Sequence, residues 1–129
     1  MLVTISGMPG AGKTTIAGKL VEELKEKEIR AKHISMDGFH FYKSELKEFK
    51  NPDFVVYWRG APYTFNSKKL LQKLQELKAG KEKTLKFPDF EHSVGDPVED
   101  AIELNLSEID IVILEGLYLM FNGEYQESV

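Results

Sequence analysis

A chain of 129 residues with 42% hydrophobic content has room for one domain with its own core, residues 1–129, and too little for two. Its formal net charge of −4, from 17 basic and 21 acidic residues intermixed along the chain, supplies no broad cationic surface, which argues against nucleic acid as a partner. The chain has no cysteine, so disulfides, thiolate metal sites and cysteine nucleophiles are excluded; a cytoplasmic location fits, and no apolar run approaches the roughly 20 residues of a membrane span.

Leu2, Val3 and Ile5 form a short apolar run that stops at Ser6-Gly7, which predicts a buried parallel strand entering a glycine turn. Beyond Lys13, the residues Ile16, Leu20 and Leu24 recur at every fourth position among Lys and Glu, the spacing of a helix with one buried face. Ala31 to Met36 predicts a second strand ending at Asp37-Gly38, where glycine permits a sharp exit. From Phe39 to Phe65 the chain is rich in aromatics, with Pro52, Gly60 and Pro62 as breakers. This stretch is expected to be irregular and pocket-forming, with one helical turn near Ser44 to Phe49.

Ser67 can cap a helix carrying Leu70, Leu71, Leu74 and Leu77 on one face, with Gly80 placed to end it. Thr84 to Phe90 reads as a strand and Val98 to Leu104 as a short helix. Asp110 to Leu114 reads as a buried strand that delivers Glu115-Gly116 at its carboxyl end. The order of elements is that of an α/β fold, a parallel sheet flanked by helices.

Gly7-Met8-Pro9-Gly10-Ala11-Gly12-Lys13-Thr14 satisfies G-x-x-x-x-G-K-[ST] and lies between a predicted strand and a predicted helix, the context this phosphate-binding loop requires. Across Gly7, Pro9, Gly10, Ala11 and Gly12, the glycines let backbone N–H groups point inward at phosphate oxygens. The helix N-terminus adds about half a positive charge. Lys13 is placed to bridge the β- and γ-phosphates of ATP, the Thr14 hydroxyl to enter the shell of Mg²⁺, and Thr15 to reach the α-phosphate. A glycine turn with an exposed lysine would explain Gly7 or Gly12 singly, but not the full spacing.

Glu115 ends an apolar strand, where ligands of open α/β sheets gather, and can hold magnesium directly or through water. Asp37 ends the other candidate strand and can accept the proton of an attacking hydroxyl; taken alone, it serves equally as a turn former before Gly38. His40, Arg59 and His92 are ordinary surface residues in isolation.

With these residues in view, the chain resembles the phosphoribulokinase/uridine kinase family of P-loop kinases, nearest a nucleoside- and pantothenate-kinase-like branch. The resemblance rests on the loop, Met36-Asp37-Gly38-Phe39-His40, Arg59-Gly60-Ala61-Pro62-Tyr63-Thr64-Phe65, Pro88-Asp89-Phe90-Glu91-His92 with Asp96-Pro97, and Glu115-Gly116-Leu117-Tyr118-Leu119. It implies a P-loop NTPase-type sheet and a catalytic trio of Lys13, Asp37 and Glu115. Asp37, His40, Arg59 and His92 would contact or shape the acceptor site, and the acceptor would be a small molecule with a hydroxyl group.

Members of that family continue past the Glu-Gly strand into an arginine-bearing lid helix and a further strand. Here 14 residues follow Glu115, and Asn122 to Val129 resemble neither part, so the lid and C-terminal strands are expected to be missing. The strand before the loop would then keep an open edge, suited to aggregation or to a second copy of the chain. Two further readings stand beside the kinase: a nucleotide-binding module without turnover, and an NTPase switch that uses water in place of an acceptor.

Overall fold

The computed structural model describes residues 1–120. In chain order it contains β1 (Leu2–Ser6), α1 (Lys13–Glu26), β2 (Ala31–Ser35), α2 (Lys43–Leu46), α3 (Pro52–Tyr57), α4 (Ser67–Ala79), β3 (Thr84–Glu91), β4 (Asp96–Asn105) and β5 (Ile111–Gly116). Single 3₁₀ turns occupy Met36–Phe39, Pro62–Thr64 and Leu106–Glu108. The stretch Asn122 to Val129, on which the expectation of a missing lid rested, lies outside the described residues.

The sheet is parallel, with β5 between β1 and β2, and Glu115 faces Ile5 on one side and Ser35 on the other. Because all three strands run the same way, Ser6, Ser35 and Glu115 finish at one end of the sheet, where an open α/β fold collects its ligand. Val112 through Gly116 are buried without interruption, as a central parallel strand covered on both faces requires. Among the described residues no strand pairs with the other edge of β1, and Leu2 stays 42% exposed there.

The core joins Ile34, Val112 and Leu114 of the sheet to Leu85, Phe87 and Leu104 of the β3–β4 hairpin, with Leu70, Leu74 and Leu77 of α4 packed against them. Phe39 meets Phe87 edge-to-face at 6.4 Å, which ties the turn after β2 to the hairpin.

Several expectations are corrected. Val98 to Leu104 is strand, not helix, because Ile102 and Leu104 alternate toward Phe87 and Leu85 across the hairpin. The helical spacing of Val98, Ala101 and Ile102 is incidental to that alternation. On α1 the fully buried residue is Ala17, while Ile16 is 53% exposed, so the inward face runs one position later than the large apolar residues indicate. Helix α4 is capped by Asn66, whose Oδ1 accepts the Lys69 N–H at 3.0 Å, and Ser67 is its first helical residue. Leu71 is 57% exposed and leaves the face shared by Leu70, Leu74 and Leu77. Pro52 opens α3 rather than breaking structure, since the first helical position needs no N–H.

Gly38 is also required for a reason other than a sharp exit. A Cβ built on it would lie 2.3 Å from the Pro88 carbonyl oxygen and 2.7 Å from its carbon, so two backbones are in direct contact here. Neither side of that contact is a flexible side chain. Gly38→Ala is therefore expected to cost about 1–3 kcal/mol or more by overpacking. The check is a lower urea midpoint with unchanged slope.

At the opposite end of the sheet, Arg30 grips Asp110 with its backbone N–H at 2.9 Å, Nε at 3.1 Å and a terminal nitrogen at 3.0 Å. The hydrogen bonds from Arg30 hold the Asp110 carboxyl down at about 2, against an ordinary 3.8. A depressed carboxyl stabilises the fold above its unfolded value and ceases to do so as pH falls through its folded value. Asp110→Asn should lower Tm at neutral pH, and its deficit relative to the parent should shrink between about pH 4 and pH 2. Thermal melts across that range test this.

Candidate active site

The loop leaves β1 at Ser6 and is tied to the end of β5, where the Gly7 N–H donates to the Gly116 carbonyl at 3.4 Å. Gly10 and Gly12 have φ of 75° and 83°, left-handed values that a side chain would strain. Gly12 then starts the 14-residue helix α1, whose first turn contains no acidic residue. The N–H groups of that first turn have no acceptor within the helix, and they lie at its positive end. The Met8 carbonyl accepts both the Ala11 N–H at 3.2 Å and the Lys13 Nζ at 2.7 Å. The lysine thus rests on its own loop, and an entering phosphate would offer it a charged partner.

The Thr14 hydroxyl donates to Glu115 Oε1 at 3.0 Å, and Glu115 is only 4% exposed. His33 Nε2 lies 3.4 Å from the same oxygen but is not aligned as a hydrogen-bond donor. That buried nitrogen therefore has no hydrogen-bond partner among the described residues. A hydroxyl and a carboxylate side by side are hard oxygen donors that fit Mg²⁺, an ion that takes one or two protein oxygens and completes its shell with water and phosphate. Among the described residues no group of three or more His, Cys, Asp or Glu forms a closed metal cage. A shell shared with substrate accords with that.

Thr14, Asp37, His92 and Glu115 line one cavity of about 280 Å³ together with His33, Ser35 and Asp89. Of the sequence-based candidates, Thr14, Asp37, His92 and Glu115 thus meet in one cavity at the carboxyl ends of β2 and β5. A larger groove of about 830 Å³ opens elsewhere, at the starts of β1 and β5 beside α4, and its walls are mainly Leu2, Leu71, Leu74, Leu77 and Ile109. Size favours that groove, but of its charged residues Lys78 and Asp110 neither lies beside the loop, whereas Thr14, Asp37 and Glu115 share the smaller cavity.

His40 and Arg59 are not among the residues lining the smaller cavity; they stand behind its wall. The His40 ring packs against Phe65 and Phe90, with centroids 4.0 and 4.9 Å away, and its Nδ1 lies 2.7 Å from the Asp37 carbonyl. A carbonyl only accepts, so Nδ1 carries the hydrogen. Burial is the main influence on this imidazole and lowers its pKa, which favours the neutral ring. The Arg59 guanidinium donates to Asp96 Oδ1 at 2.8 Å, to the Phe41 carbonyl at 3.0 Å and to the Gly95 carbonyl, and it lies 5.6 Å from the Phe90 ring centroid. Both residues therefore act on the cavity through Phe90.

The aromatic stretch from Phe39 to Phe65 does not line this cavity, whose aromatic is Phe90; Phe39, Pro62 and Phe65 line a separate one of about 230 Å³ beside α4. Phe39 and Phe65 are core residues, whereas Phe54, Tyr57 and Trp58 remain exposed and pack mainly on one another.

His33, Ser35 and Asp89 were not foreseen as cavity residues. Counting back from Asp37 in steps of two along β2 reaches Ser35 and His33, and that strand period was the available signal. Strand period gave no signal for Asp89, because an irregularity between Phe87 and Asp89 resets its direction; its place in the Pro88 to His92 segment was the available one.

A parallel sheet whose first strand feeds a glycine loop and helix, with a carboxylate at the end of the neighbouring strand, defines a P-loop kinase fold. A model of the phosphoribulokinase/uridine kinase family matches residues 2–129, and the chain belongs to that family. A Schizosaccharomyces pombe protein provisionally named a uridine kinase is 37% identical over 125 residues, 95% of this chain and 52% of that one. Pantothenate kinase from Bacillus subtilis is 35% identical over 121 residues, 92% of this chain and 36% of its own. The chain thus spans about half the length of the first relative and less of the second. Among solved structures, YFH7 from Saccharomyces cerevisiae superposes with a TM-score of 0.84 at 21% identity, covering 95% of this chain and 69% of that one, a likeness of fold. No helix among the described residues is long and apolar enough to cross a membrane.

Proposed function

We propose that this chain is the phosphate-binding and acceptor-binding portion of an ATP-dependent phosphotransferase that moves the γ-phosphoryl group to a hydroxyl of a small metabolite, such as a nucleoside, pantothenate or a sugar-like alcohol. The carrying observation is the convergence of Thr14, Glu115 and Asp37 on one cavity beside the loop, with Thr14 and Glu115 only 3.0 Å apart. Family membership and the names of the relatives support the same reading.

In this reading the loop amides and the positive end of α1 bind the phosphates, and Lys13 follows the charge that develops on them. Thr14 and Glu115 would hold Mg²⁺, which when bound neutralises charge on the phosphates. Asp37 takes the proton of the acceptor hydroxyl while that oxygen bonds to the γ-phosphorus and the bridging bond to the β-phosphate breaks, releasing ADP. Phe90, backed by His40 and Arg59, and His92 shape the acceptor's side of the cavity. A cytoplasmic location belongs to the same proposal.

Calorimetry of ATP·Mg²⁺ binding, followed by ADP release against nucleosides, pantothenate and sugars, tests it. Binding with release that one acceptor stimulates is the expected result. Binding with no stimulated release would reduce the function to nucleotide binding, and release independent of any acceptor would indicate an NTPase.

A further inference from the structure

The cavity holds one carboxylate that the proposed chemistry leaves without a task. Asp89 lines it together with Asp37 and Glu115, although it comes from the hairpin rather than the parallel sheet. Two features of the backbone place it there. The strand register jumps from Phe87 opposite Ile102 to Asp89 opposite Val98, and Pro88 fills the irregularity, where no N–H is needed. The same Pro88 is the residue against which Gly38 packs so closely that a Cβ would lie 2.3 Å from its carbonyl oxygen. Asp37 immediately precedes one side of that contact and Asp89 immediately follows the other, so one backbone contact anchors both residues where they line the cavity.

Both also keep hydrogen-bonding capacity. Asp89 Oδ1 accepts the Phe90 N–H at 2.9 Å, which orients the group, and Oδ2 has no hydrogen-bond partner among the described residues. The Asp37 carboxylate has none there either, since this residue is held through its backbone N–H to Ser35 Oγ and its carbonyl to His40. An ionised carboxylate only accepts, so its complement is a donor such as a hydroxyl. A carboxylate or phosphate on the acceptor would instead meet Asp37, Asp89 and Glu115. The nearby Arg59 guanidinium is engaged with Asp96 and two backbone carbonyls. A space of about 280 Å³ suits the body of a sugar.

We infer that Asp89 is a specificity-determining residue that, paired with Asp37, selects an uncharged acceptor bearing at least two hydroxyls over one bearing a carboxylate or phosphate. The inference rests on the proposed transfer reaction for its context, yet it concerns acceptor binding and is tested as such. Asp37 takes the reacting hydroxyl and Asp89 a neighbouring one.

The experiment saturates the 129-residue chain with a non-hydrolysable ATP analogue and Mg²⁺, then titrates uridine and fructose as neutral polyols and pantothenate and glycerate as anions. Parent, Asp89→Asn and Asp89→Ser are compared, with the analogue's affinity as the control for folding. A neutral polyol should bind the parent more tightly than either anion, and both variants should bind that polyol about 10-fold more weakly or worse, the loss of one charge-assisted hydrogen bond. Analogue affinity should not change. With ATP in place of the analogue, Asp89→Asn should raise KM for the polyol and leave kcat within a few-fold.

Tighter binding of an anion by the parent, unchanged polyol affinity in both variants, or a folded, analogue-binding chain that binds neither class would overturn the inference. Polyol binding that depends on Asp89 without any ADP release would leave it standing and remove the transfer reading.

Discussion

Lys13→Ala should weaken ATP·Mg²⁺ binding by about 10- to 100-fold, the loss of a charge-assisted hydrogen bond in a site built for anions. Acceptor-dependent ADP release should fall by a further factor of about 10²–10³, because the amine matters most when charge develops on the transferring group. The fold should survive the change. The Lys13 amine is bonded to the Met8 carbonyl at 2.7 Å, and that carbonyl keeps its second donor, the Ala11 N–H, in the variant. The loop geometry rests on Gly10 and Gly12 and on the tie from Gly7 to Gly116, none of which involves the lysine side chain. Calorimetry and thermal melts on the same preparation separate the outcomes: lost binding with an unchanged Tm is expected, and unchanged binding would remove the loop from the nucleotide site.

The elements most visible in the sequence were those whose burial follows a simple period. The strand over Asp110 to Leu114 and the helix ending at Gly80 carry runs of large apolar residues with glycine punctuation, and both are present. The loop was visible for a different reason: its residue types are set by local backbone geometry and by the ligand, so spacing alone specifies it. What the sequence hid depends on contacts between distant segments. Ala17 is the fully buried residue of α1, but its small side chain adds little to an apolar pattern. The β4 strand shows its alternation only once Phe87 and Leu85 are known to lie opposite Ile102 and Leu104. Arg59 has the residue type of an anion ligand, yet Asp96 and the Gly95 and Phe41 carbonyls reach it first.

Asp37 combines both situations, which makes its substitution the most informative about chemistry. Asp37→Asn preserves shape and the ability to hydrogen-bond an acceptor hydroxyl but cannot take its proton, so ADP release should fall by about 10²–10⁴. Structure should be nearly indifferent to the change. The turn is held by the Asp37 N–H to Ser35 Oγ at 3.2 Å and by the Asp37 carbonyl to His40 Nδ1 at 2.7 Å, and both bonds belong to the backbone of residue 37. The close contact of Gly38 with Pro88 likewise does not use the carboxylate. ATP·Mg²⁺ affinity and Tm should therefore stay at parental values while kcat falls. A drop in Tm with little change in rate would instead identify Asp37 as the turn former that its place before glycine also permits. The two roles separate because the turn uses the backbone and the chemistry uses the side chain, so a single isosteric substitution removes one and spares the other.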